Sequence, residues 1–133
     1  MFFLAAMMQA APAVTVSEDN TVFTLDNGIV TARVSKRSGD LLSLKYKNLE
    51  LLDVGRQSGY WSHNTGRAAQ ITPAITIDPK TNGGERGEVA IKGISGGSPM
   101  GNGPGGSVIA DIEIRYALGR GESGIYTDRK SVV

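Results

Sequence analysis

The chain has no cysteine, so its fold cannot rest on disulfides and no thiolate is available for metal binding. It also lacks an excess of either charge. Fourteen Lys and Arg face thirteen Asp and Glu, leaving a net charge of +1. The basic residues are scattered, so no field of one sign favours nucleic acid or an anionic membrane. Aromatics are sparse at 6%. No apolar run is long enough to cross a bilayer. The only histidine is His63, and there is neither a Gly-x-Ser-x-Gly motif nor a Ser/His/Asp set for a hydrolase. The acidic residues of Asp19-Asn20, Asp26-Asn27 and Asp78 have no calcium-loop spacing and read as turn chemistry. No cofactor and no metal are expected.

What the chain does have is glycine, at 18 residues, set between short runs of alternating polarity. Asp26-Asn27-Gly28 lies between Val22–Leu25 and Ile29–Val34. That is the strongest short-range hairpin signal, because a two-residue turn of this kind needs positive φ at both central positions. Val30, Ala32 and Val34 share one face, and Thr31 and Arg33 the other. Ser38-Gly39-Asp40 turns into Leu41–Tyr46, where Leu42, Leu44 and Tyr46 are expected to share a face. Lys47-Asn48 turns again into Leu49–Leu52. Helix-like leucine spacing over Leu41–Leu52 is the competing reading, and Ser43, Asn48 and the flanking turns count against it.

Further on, Pro73–Asp78 reads as a strand with Ile75 and Ile77 on one face, and Arg86–Ile94 as another with Val89 and Ile91 together. Between them, Lys80–Gly84 is a turn. Ser95–Ser107 is glycine-rich but lacks the Gly-Lys-Ser/Thr ending of a phosphate loop, so it reads as a long hairpin connection. Val108–Leu118 alternates most cleanly. Val108, Ala110, Ile112, Ile114, Tyr116 and Leu118 face inward, against Asp111, Glu113 and Arg115 outward, which predicts a sheet with one face on a core. The fold class is all-β, an antiparallel β-sandwich formed by at most one domain.

The two ends carry expectations of their own. Residues 1–13 are apolar and finish in Ala11-Pro12-Ala13, the small-x-small pattern of a secretory signal, although no positively charged leading region precedes them. The expected location is extracellular, with a mature chain starting near Val14. The sandwich domain is then assigned to 14–127. Residues 128–133, Asp-Arg-Lys-Ser-Val-Val, show no alternation and match the translated start of a common sequencing adapter. They read as a non-native tail, with the natural protein expected to continue past Thr127.

With the strands laid out, the chain resembles the N-terminal part of rhamnogalacturonan lyases of the polysaccharide lyase family 4 type. The matching segments are Thr24–Val30, Ser38–Leu44, Leu49–Leu52, Gly59-Tyr60-Trp61 and Arg120–Thr127, within residues 15 to 127. The first of these also resembles the opening of many galactose-mutarotase-like sandwiches. The resemblance implies an incomplete galactose-mutarotase-like supersandwich. It also implies a secreted enzyme, monomeric at full length, that cleaves the rhamnose–galacturonic acid backbone of pectin by β-elimination. That chemistry needs a cation to neutralise the uronate carboxylate, a base for the C5 proton, and stabilisation of the leaving O4. In the family a lysine and a histidine are implicated, and no position of this sequence matches them. No catalytic residue is therefore assigned, and the chain alone is expected to be inactive.

Tyr60 and Trp61 are the candidate substrate-binding residues, since an aromatic face suits the C–H side of a pyranose; plugging one end of the core is the alternative. His63, in the same loop, reads as a backbone-bonding loop residue. Lys36, Arg37, Lys45 and Lys47 read as surface charge, with contact to a uronate polymer as the alternative. Glu85, Arg86, Glu88, Asp111, Glu113 and Arg115 read as solvated faces or cross-strand pairs. The expected partner is a polysaccharide, with no nucleic acid and no membrane. The rival reading is a non-catalytic sandwich module associated with carbohydrate, as in a glycoside hydrolase. A free-standing adhesion or structural β-protein is a third.

Overall fold

The computed structural model describes residues 10–52, 71–95 and 110–132. Tyr60, Trp61, His63, most of the glycine-rich connection and Val108 lie outside them. Among the described residues two antiparallel sheets form. The first runs in the order β1 (Thr15–Glu18), β2 (Val22–Asp26), β3 (Val30–Ser35), β4 (Leu41–Tyr46) and β5 (Leu49–Glu50). The second runs β6 (Ile71–Ile77), β7 (Arg86–Ser95), β8 (Ala110–Gly119) and β9 (Tyr126–Val132), with a 3-10 turn at Pro79–Thr81. Both are meanders of sequential neighbours, as short turns between alternating runs dictate.

Alternation places the core between the sheets. Phe23, Leu25, Val30, Ala32, Val34 and Leu41 of the first sheet join Val89, Ile91, Ile114, Tyr116 and Leu118 of the second in one buried cluster. The inward sets read from β3, β7 and the described part of β8 are therefore present as expected. Two facing apolar sheets of this kind are the arrangement of a β-sandwich.

Four local features differ from the pattern the residues suggest. First, the Asn27-Gly28 connection is not a two-residue hairpin. It spans residues 27–29, and of its residues only Gly28 has positive φ, at 82°. The turn with positive φ at both positions is Lys47-Asn48, at 47° and 66°. Second, Leu42 does not share the face of Leu44 and Tyr46. The register pairs Val34 with Leu41 and Arg33 with Ser43, skipping Leu42, and this bulge turns Leu41 into the core instead. Third, a bulge at Thr76 shifts the register, so that Ile75 pairs with Val89 and Ile77 with Glu88, while Ile75 and Ile77 stay half-buried together as expected and Thr76 is exposed. Fourth, pairing continues through Asp128–Val132, where the sequence shows no alternation. The long edge of β8 supplies backbone partners whatever the side chains, and the register sets Asp128 opposite Arg115 and Lys130 opposite Glu113.

The segment before β1 is held to the body. Val14 is buried, and its N–H donates to Gly84 O at 2.9 Å. Arg120 donates from Nη1 to Ala11 O at 2.8 Å and from Nη2 to Gly83 O at 2.6 Å. Its Nε lies 2.8 Å from Glu85 Oε1, an ion pair that is not aligned as a hydrogen bond. One guanidinium thus ties the N-terminal segment to the β6–β7 connection.

Candidate functional site

Two of the segments that carry the resemblance, Thr24–Val30 and Arg120–Thr127, meet at the joint between the sheets. Asn27 is fully buried and uses its whole hydrogen-bonding capacity. Its Nδ2 donates to Gly119 O at 2.9 Å and Glu122 O at 2.8 Å. Its Oδ1 accepts from Ile29 N at 3.0 Å and Val30 N at 2.8 Å. The β2–β3 connection is thereby bolted to the β8–β9 turn. Asp26 Oδ1 accepts from Gly28 N at 2.7 Å, closing the local turn around that bolt.

A second contact joins the β3–β4 turn to the opposite sheet. Gly39 adopts φ 77°, and a Cβ there would lie 2.9 Å from Ile114 Cδ1. The buried Tyr116 hydroxyl donates to Gly39 O at 2.6 Å. Burial pushes the Tyr116 pKa upward, and the nearby Asp40 carboxylate adds to the shift. This phenol is a structural donor and not an available acid or base.

The face of the second sheet turned away from the core is the most chemically varied surface described. In register across β7, β8 and β9 lie Glu88, Ala117 and Tyr126, then Ala90, Arg115 and Asp128, then Lys92, Glu113 and Lys130. Tyr126 is 61% exposed beside the small Ala117. Glu88 is buried, and its Oε1 accepts from Thr76 Oγ1 at 2.8 Å and Arg115 Nη1 at 3.2 Å. Arg115 also reaches Glu113 Oε1 from Nε at 2.8 Å and from Nη2 at 2.7 Å. These bonds to Glu113, then its charge, raise the Arg115 pKa and keep the guanidinium charged. Arg86 stands 3.9 Å from Glu88 Oε2, too far for a hydrogen bond. The cross-strand pairs expected from the sequence are present here, but Glu88 is more deeply enclosed than a solvated face implies.

Tyr126 belongs to the resembling segment Arg120–Thr127, but the sequence reading gives it no binding role. Its place follows from strand parity once Tyr126 is set opposite Ala117, which requires the register of β9. A cleft of about 270 Å³ also runs beside β1, lined mainly by Val14, Val16, Pro79 and Gly84. Among the described residues there is no group of His, Asp or Glu side chains able to hold a metal ion. Nor is any helix among them long and apolar enough to cross a membrane. Comparison with protein-family profiles, curated proteins and solved structures finds no match to this chain.

Proposed function

We propose that this chain is the N-terminal β-sandwich portion of a rhamnogalacturonan lyase of the polysaccharide lyase family 4 type. It would be galactose-mutarotase-like and would act on extracellular pectin. In this reading the chain supplies the frame and a sugar-facing surface, and the elimination machinery lies on residues that this sequence does not match. One observation carries it. Two segments distant in sequence and chosen only for their resemblance, Thr24–Val30 and Arg120–Thr127, pack on one another through the Asn27 amide and Glu122 O. Motifs that mark a fold should converge in this way, because they fix how its two sheets meet.

The pairing of Arg115 and Lys36 with carboxylates agrees with a supporting role for these two residues. The Arg115 guanidinium is committed to two carboxylates, and Lys36 is 3.0 Å from Glu18. Neither is placed to neutralise a uronate while a base removes its C5 proton. A second reading, a non-catalytic carbohydrate-associated module of a glycoside hydrolase, is favoured by the exposed Tyr126 on the outer side of β9.

Incubation of the purified chain with rhamnogalacturonan, followed by the ultraviolet absorbance of unsaturated uronate ends, tests the division of labour. No increase is expected, and measurable turnover would overturn it. Sequencing the genomic locus around the chain separates the two readings. A lysine and a histidine on further strands, followed by a fibronectin-like and a jelly-roll domain, support the lyase. Catalytic carboxylates on a helical or (β/α) barrel support the hydrolase module.

A further inference from the structure

We propose that Ala11–Val14 is a permanent strap of the folded protein, so that any proteolytic removal of the residues before it ends ahead of Ala11 and not after Ala13. The strap runs across three chain connections. Ala11 lies against Gly121 in the β8–β9 turn, Pro12 on Gly28 in the β2–β3 connection, and Ala13 on Gly84 in the β6–β7 connection. The first two connections are the ones that the Asn27 amide joins. The strap adds a second tie between them and brings in the third.

The fit rests on close approach. A Cβ on Gly28 would lie 2.9 Å from Pro12 Cγ, and one on Gly84 would lie 2.5 Å from Ala13 Cβ, both inside van der Waals contact. Ala11-Pro12-Ala13 has the small-x-small pattern of a signal cleavage site. Packing against the two glycines gives the same residues a structural use.

Hydrogen bonds hold the strap at both ends. Arg120 Nη1 donates to Ala11 O at 2.8 Å, and Val14 N donates to Gly84 O at 2.9 Å. A cut after Ala13 would take the acceptor from Nη1 and turn the Val14 N–H into a charged amine. Val14 is 2% exposed, and a charge placed there loses hydration. The Ala13–Val14 bond is also poorly presented to a peptidase. Its second residue sits in the core, and the chain continues directly into β1, which is paired with β2.

Two measurements test this. In the first, the native full chain is treated with elastase, which cuts after small residues, and the products are identified by mass spectrometry. The trimmed protein is expected to keep Ala11–Ala13, and cleavage of the Ala13–Val14 bond should be roughly tenfold faster in Arg120→Ala, which releases the Ala11 carbonyl. In the second, urea melts compare the full chain with chains starting at Ala10 and at Val14. The Ala10 start should match the full chain, and the Val14 start should melt roughly 1 M lower, having lost the strap. A Val14 start that fails to fold is the stronger form of the same result. Wild-type cleavage at Ala13–Val14 as fast as in Arg120→Ala overturns the proposal, as does a Val14 start as stable as the full chain. Neither outcome depends on the polysaccharide reading.

Discussion

Replacing Asn27 by alanine removes four hydrogen bonds at a position with no solvent exposure. A typical bond of this kind contributes about 1 kcal/mol net, and a buried group left without its partner costs about 1–3 kcal/mol. Gly119 O and Glu122 O would lose a donor in the joint, and the turn N–H groups of Ile29 and Val30 would lose an acceptor. The expected loss is roughly 3–5 kcal/mol. That is a large part of the 5–15 kcal/mol (approximately) typical of a domain. With a urea slope of about 2 kcal/mol per molar, the midpoint should fall by roughly 2 M.

Two companions make the measurement decisive. Asp26→Ala removes one exposed bond, to Gly28 N, and should cost about 1 kcal/mol or less. Asn27→Asp keeps the acceptors but sets a carboxylate against two carbonyl oxygens. The fold then disfavours the charged form and raises its pKa. Stability should be highest below the unfolded value of about 3.9 and fall as pH rises through the folded value. Urea melts followed by tyrosine and tryptophan fluorescence give all three numbers. If Asn27→Ala melts no earlier than Asp26→Ala, the bolt is not what joins the sheets.

Gly39→Ala should destabilise by about 1–2 kcal/mol from left-handed backbone alone, with more from the contact to Ile114, read as a lower thermal midpoint. Arg120→Ala should leave the sheets intact but speed hydrogen exchange at Val14 N–H, because it frees the Ala11 and Gly83 carbonyls that hold that segment. Unchanged exchange there would argue against the clamp. The raised Tyr116 pKa makes its contribution complete below the unfolded value of about 10 and lost as pH rises through the folded value. Tyr116→Phe should therefore be less stable than wild type at neutral pH and show a shallower alkaline decline.

Which parts of this molecule can be read from sequence follows from the range of the interactions involved. Strand faces are local, and the alternation of Val30, Ala32 and Val34 or of Ile112, Ile114, Tyr116 and Leu118 places the core without any knowledge of the partner sheet. Turn geometry is only partly local. Asn27-Gly28 has the composition of a two-residue hairpin turn, yet Asn27 keeps ordinary backbone because its amide is drawn to Gly119 and Glu122, some ninety residues away. The two-residue geometry appears at Lys47-Asn48, whose composition signals it less strongly.

Bulges are harder still. Nothing in Leu41-Leu42-Ser43-Leu44 says which leucine is skipped until β3 fixes the pairing. The same holds for the candidate surface. Tyr126 becomes notable only when β9 is set in register, which places it on the outer face beside Ala117. The sequence offers no alternation there to announce it. Tyr60 and Trp61, which composition does announce, lie outside the described residues.

The central structural claim is that the Asn27 amide ties the β2–β3 connection to the β8–β9 turn and so joins the two sheets. The side-chain amide protons of Asn27 report on it most directly by nuclear magnetic resonance. They should exchange slowly with solvent and show Overhauser contacts to residues of the Gly119–Glu122 turn. Fast exchange with contacts confined to Asp26 and Gly28 would contradict the account.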